Sequence, residues 1–99
     1  MPAMLRWLIN LWMRRDVRRI IRGLPADERE RLRTMPESEL ILLRHGFSRG
    51  VRNAFRSNRF RGLSAYCHAE VQRSGEPLSF DALSSVAIRE VWATLHRDA

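Results

Sequence analysis

The chain has 99 residues, enough for one small domain, and 44% of them are apolar, which excludes wholesale disorder. All 18 basic residues are arginine, and 11 acids oppose them to leave a formal charge of +7. That balance favours phosphate backbones, anionic lipid headgroups or acidic protein surfaces as partners. One cysteine, Cys67, excludes an intramolecular disulfide framework and fits a reducing cytoplasm.

A GC-rich coding sequence accounts for part of the choice of arginine over lysine, but not for its clustering. Residues 1–22 hold six Arg and one Asp, a charge of +5. Residues 44–62 hold six Arg and no acid, a charge of +6. The segments between and after these two, 23–43 and 63–99, each sum to −2. Charge therefore alternates in blocks, with two separate basic segments.

Residues 1–23 read as a helix. The apolar run from Leu5 to Met13 is broken by Arg6 and Asn10, then followed by Arg14, Arg15, Arg18, Arg19 and Arg22. It is too short and interrupted to span a bilayer. The positive cluster follows the apolar part and no small-residue cleavage site is seen, so it does not read as a signal peptide. Leu5, Leu8, Ile9, Trp12 and Ile20 favour one side, with Trp7 off that stripe. Three uses fit such a helix: a core or partner-binding helix with a solvated basic end, an in-plane membrane helix with Trp7 and Trp12 at the headgroups, or a nucleic-acid arm. The helix either packs on the domain or projects from it.

Residues 24–35 form a short polar helix, with Pro25 in its first turn, Asp27 and Glu28 favourable to its N-terminus, and Leu24, Leu32 and Met35 as apolar anchors. Thr34 with Glu37 has the form of a capping box, which predicts a helix through the apolar run Leu40–Leu43 that ends at Gly46.

Residues 44–62, RHGFSRGVRNAFRSNRFRG, carry Arg44, Arg49, Arg52, Arg56, Arg59 and Arg61. A helix from Arg49, with Ser48 as N-cap, puts Phe47, Val51, Ala54, Phe55 and Asn58 on one face and Arg49, Arg52, Arg56 and Arg59 on another. Helix, short turn with Gly46 and second helix make a helix-turn-helix-like corner at residues 37–60. Leu42, Phe47 and Ser48 fit that motif. Arg52 occupies the next core position, with Val51 one residue early, and Gly50 weakens the second helix by about 1 kcal/mol against alanine. The alternative is an ordinary αα-corner that shows its arginines to water.

The elements Leu32, Met35, Glu37, Glu39-Leu40, His45-Gly46, Val51-Arg52-Asn53, Phe55, Trp92 and Leu95 resemble the pattern of small bacterial helical domains grouped as domain of unknown function 6794. The spacing after His45 and the extra arginines depart from it. Leu42, Gly46 and Ser48-Arg49 also resemble a segment of the arginine-rich YjiS-like proteins, domain of unknown function 1127, of which some members are thought to bind RNA. Here Arg44-His45 stand where that family has Asp-Ile. The first resemblance implies a small helical domain without a stated activity, and the second an RNA partner.

Arg61-Gly62 reads as a helix break. Residues 63–74 then carry Leu63, Tyr66, Cys67 and Val71 on an inner stripe, closed by the turn Gly75-Glu76-Pro77. Adjacent Cys67 and His68 point about 100° apart and do not pair as nucleophile and base. Residues 79–96 are the most regular helix. Ser79 caps it, and Phe80, Leu83, Ala87, Ile88, Val91 and Leu95 line its apolar face, which Val86 and Trp92 widen. So broad a face predicts burial between other helices or a homodimer through this C-terminal helix.

No strand alternation, hairpin turn, repeat or linker interrupts this pattern, so the fold class is an all-α single domain of about five helices. His45, His68 and His96 are scattered, and no catalytic, metal or cofactor motif is present. The expectation is a protein that is not an enzyme and takes no cofactor. Its leading function is regulatory binding of DNA or RNA through Arg44, Arg49, Arg52, Arg56, Arg59 and Arg61, with Asn53 adding a hydrogen bond. The alternative is an adaptor, inhibitor or assembly subunit of the kind bacteria and phages encode, its basic face on an acidic protein and Trp7 or Trp12 in a hydrophobic groove. A third reading is a peripheral protein on an anionic membrane surface, anchored by residues 1–22, which would make the cytoplasmic protein membrane-associated.

Overall fold

A computed structural model describes residues 3–43, 53, 56 and 59–97. They build an all-α bundle in the order α1 (Ala3–Gly23), α2 (Ala26–Thr34), a 3-10 helix (Glu37–Leu43), α3 (Arg61–Ser74) and α4 (Phe80–Arg97). Among the described residues there is no strand.

α4 is the central element and forms where its periodicity predicts. The Ser79 hydroxyl accepts the Ala82 N–H at 3.0 Å, Asp81 sits in the first turn, and His96 and Arg97 in the last complement the dipole. Leu83, Ala87, Ile88, Val91 and Leu95 are buried, and Ala82, Ser84 and Thr94 extend that face. The Ser84 hydroxyl donates to the Phe80 carbonyl at 2.7 Å, so this buried polar group is satisfied. α1, α2, the 3-10 helix and α3 all pack on α4, and its broad apolar face is covered within the chain.

α3 buries Leu63, Cys67 and Val71 as the sequence predicts and ends at Gly75, whose φ of 80° supplies the left-handed cap. The Tyr66 hydroxyl donates to Glu90 Oε1 at 2.8 Å and ties α3 to α4. Gly62 does not break the helix: it is the second residue of α3. A Cβ at Gly62 would lie 2.4 Å from Trp12 Cβ and 2.6 Å from the Trp12 carbonyl carbon. The glycine is there because α1 crosses α3 at backbone distance.

α2 holds to the bundle by its anchors. Leu32 and Met35 are buried, and the Trp92 indole N–H donates to the Met35 carbonyl at 2.6 Å. The helix expected to open with a capping box at Thr34 and Glu37 differs from what forms. The Thr34 hydroxyl donates backward to the Glu30 and Arg31 carbonyls, 3.0 and 3.3 Å away, and Thr34 closes α2. Met35, ahead of Pro36, is extended with ψ 134°, as a residue before proline prefers. The chain then makes the 3-10 helix, whose Leu40 is buried while Ile41 and Leu42 are exposed.

Of the arginine helix expected from Arg49, Asn53, Arg56 and Arg59 are described: Asn53 and Arg56 are helical and exposed, whereas Arg59 lies in a bend ahead of α3, so the expected helical stripe does not run through it. Arg44, Arg49 and Arg52, together with most of the helix-turn-helix-like corner at 37–60, lie outside the described residues.

Candidate nucleic-acid interface

The described part of the basic surface is centred on α1. At about 100° per residue, Arg14, Arg15, Arg18, Arg19 and Arg22 fall within about 140° of one another. Met13, Asp16, Val17, Ile20 and Ile21 fill the opposite arc. Met13, Asp16 and Val17 are buried, and Ile20 and Ile21 pack against the core. This places α1 on the bundle, with its main contact to α3 and a second to α4. The stripe read from the sequence differs: Leu5 and Trp12 are exposed, and the seam is carried by Met13 and Val17.

Asp16 explains how a carboxylate comes to sit in that seam. The N-cap position of α3, Phe60, has no side-chain cap. Asp16 Oδ2, from α1, accepts the buried Leu63 N–H at 3.0 Å and takes over that function from 47 residues away in the chain. An anion at a helix N-terminus is favoured by the exposed N–H groups and the dipole, and a charged acceptor strengthens the bond. Arg19 lies 3.8 Å from Asp16 Oδ1, donates to the Arg59 carbonyl at 3.3 Å, and has its guanidinium 5.1 Å from the Phe60 ring centre. Asp16 and Arg19 thus lock the end of the 44–62 basic segment onto α1.

The lock joins the two basic segments of the sequence. Arg15 and Arg19 of α1 share a hollow of about 380 Å³ with Arg59 and Arg61, beside Trp12, Asp16 and Gly62. On the other side, Arg15 and Arg19 continue into a groove of about 900 Å³ between α1 and α2. Arg18, Arg22, Arg29 and Arg33 line that groove too, over apolar Ile21, Ala26 and Leu95, with Glu30 as its one acid. Arg14 and Arg97 extend the belt around Arg18.

Most of this charge is uncommitted among the described residues. Among the described residues, the belt's ion pairs are Arg19 with Asp16 and Arg33 with Glu30, the latter at 2.5 Å. Among the described residues, Arg15, Arg18, Arg22 and Arg29 make none, and Arg29 Nε is buried without a hydrogen-bond partner. Guanidinium groups held side by side at exposed groove walls repel one another and are relieved by a polyanion.

The sequence-predicted site residues divide accordingly. Arg59 and Arg61 lie in the belt. Arg56 and Asn53 are exposed. Arg44, Arg49 and Arg52 are outside the described residues. Trp12 borders the Arg59–Arg61 hollow, and Trp7 is exposed farther along α1. Arg15, Arg18, Arg22, Arg29 and Arg33 join the belt from outside the 44–62 segment that the sequence marks. Their signal was the spacing of the α1 arginines, which lays them on one arc; the contribution of α2 depends on tertiary packing.

Cys67 is buried and chemically quiet. Burial pushes its thiol up to about 12, with Glu90 and Glu70 adding to the effect. Among the described residues, no group of three His, Cys, Asp or Glu side chains could hold a metal ion, and no helix is long and apolar enough to cross a membrane. Comparison of the chain with protein families, curated proteins and solved structures found no match.

Proposed function

We propose that this protein binds nucleic acid, DNA or RNA, through an arginine belt formed by the second half of α1, the facing side of α2, and Arg59 and Arg61. The observation that carries the reading is the groove in which six arginines face one glutamate. A concave, ridged cationic surface suits a phosphodiester chain, which presents a charge at regular short intervals, and arginine forks grip phosphate with two parallel hydrogen bonds. Asn53, Arg56 and the acid-free 44–62 segment would extend the contact toward bases, and the regulatory role expected from the sequence belongs to this reading.

The test is a salt series with labelled duplex DNA and single-stranded RNA. If Arg15, Arg18, Arg22 and Arg29, which make no ion pair among the described residues, each meet a phosphate, the logarithm of the binding constant falls with the logarithm of salt at a slope of about −3.6 on duplex and about −2.8 on single strands. Binding that persists near physiological salt supports the reading. Binding that vanishes well below it redirects the belt to an acidic protein partner.

A further inference from the structure

We infer that the first three turns of α1 dock onto an anionic lipid surface. Leu5, Trp7, Leu11 and Trp12 are 48%, 63%, 42% and 48% exposed, and Leu8 is half-buried beside them. On the helix these five fall within about 160° of one another, with Trp12 near one edge of the arc, where its Cβ lies against Gly62 of α3. Arg6 and Asn10 take the inward side, where they line a groove with Tyr66, Glu70 and Arg73 of α3. The outward arc of the N-terminal half thus carries no charge, while the same arc of the C-terminal half carries the arginines from Arg14 to Arg22.

This arrangement is costly in water. Among the described residues, the buried core is built without Leu5, Trp7, Leu8, Leu11 and Trp12, which leaves their apolar surface and two indoles in water. The patch runs about 12 Å along the helix, too short to span a bilayer and long enough to seat in its interface. Tryptophan favours that interface, where the ring lies among the acyl and headgroup atoms, and arginines one to two turns away reach lipid phosphates. The charge beside the patch selects the occupant. Two α1 helices paired in parallel would oppose arginine to arginine, and paired antiparallel over their full length would lay arginines on the leucines. An anionic lipid surface satisfies the apolar patch and the arginines together. The inference does not rest on the nucleic-acid reading: Leu5, Trp7, Leu8 and Leu11 line neither the α1–α2 groove nor the Arg59–Arg61 hollow, and Trp12 alone borders the latter.

The full-length protein is tested by co-sedimentation with phosphatidylglycerol–phosphatidylcholine vesicles and with pure phosphatidylcholine vesicles, followed by tryptophan emission. The expected result is binding to the anionic vesicles with a blue shift from Trp7 and Trp12, and weak or no binding to the neutral ones. Trp7→Ala with Leu11→Ala lowers vesicle affinity at least about tenfold. Both positions are exposed, so circular dichroism and thermal melting of the double variant match the parent, and its nucleic-acid affinity is unchanged. Absence of vesicle binding overturns the inference. So does anionic-vesicle binding that the double variant retains in full, which would reduce it to charge alone. A concentration-dependent dimer abolished by the double variant assigns the patch to a second copy and also overturns it.

Discussion

Gly62→Ala tests the packing that assembles the arginine belt. A methyl group at this position would meet Trp12 Cβ at 2.4 Å, the Trp12 carbonyl carbon at 2.6 Å and the Met13 nitrogen at 2.9 Å, where carbon contacts are comfortable at about 3.5–4.0 Å. Two of the three neighbours are backbone, so no side-chain rotation relieves the overlap and α1 must retreat from α3 by about 1 Å. That retreat loosens Met13 and Val17 against Leu63 and stretches the Asp16–Leu63 hydrogen bond. Overpacking of this kind costs about 3 kcal/mol, and the better helix propensity of alanine returns at most about 1. The net loss is about 2 kcal/mol, a fall in Tm of about 8–16 °C for a domain of this size. Gly23→Ala is the internal control. Nothing lies within 4 Å of a Cβ at Gly23, so the same substitution at the end of α1 stabilises by about 0.5 kcal/mol. Urea unfolding followed by circular dichroism measures both. If Gly62→Ala is as stable as the parent, α1 and α3 do not cross at backbone contact and the joined basic surface loses its structural basis.

Asp16→Ala is expected to cost about 2 kcal/mol, because it removes the cap of α3 and leaves the buried Leu63 N–H without an acceptor, whereas Asp16→Asn keeps an acceptor and costs about 1; chemical denaturation ranks the two. Trp92→Phe removes the hydrogen bond to the Met35 carbonyl and lowers stability by about 1 kcal/mol, read the same way. Thiol-reactive dye at pH 8 labels Cys67 far more slowly in the native protein than in denaturant. The stabilisation linked to that thiol is fully present below the unfolded cysteine's pKa of about 8.5 and is lost as pH rises from there toward about 12, so Cys67→Ala melts with less alkaline sensitivity than the parent.

Much of the bundle is legible in the sequence, and the exceptions have physical causes. α4 announces itself because cap, first-turn acid, apolar period and last-turn cations agree. The stripe of α3 is legible from its apolar period and its stop at Gly75, although its start has neither a side-chain cap of its own nor a first-turn acid. The seam of α1 is not, because its N-terminal half carries more apolar residues outward than inward, so amphipathicity points toward Trp12 and Leu5 and away from Met13 and Val17. Asp16 hides the seam further, since a carboxylate belongs in a core only when a distant N–H awaits it. Gly62 reads from sequence as a helix breaker, and only the position of Trp12 shows it to be a site of close approach. Thr34 offers its hydroxyl either forward to a new helix or backward to the old one, and Pro36 favours the second. The basic segments were visible as segments. Their junction at Arg15, Arg19, Arg59 and Arg61, and the contribution of Arg29 and Arg33 from α2, depend on how α1 lies across its neighbours.

Arg15→Glu with Arg18→Glu tests most directly whether the α1–α2 groove carries the polyanion. Neither arginine makes an ion pair among the described residues, and both line the groove, so the exchange changes charge while leaving the Asp16–Arg19 lock in place. Fluorescence anisotropy of labelled duplex DNA and single-stranded RNA across a salt series is the readout. The structure predicts affinity lowered at least about 100-fold at low salt, and a duplex slope shallower by about 1.8 as two phosphate contacts disappear. An affinity and slope equal to those of the parent protein would contradict it and move any nucleic-acid contact away from α1.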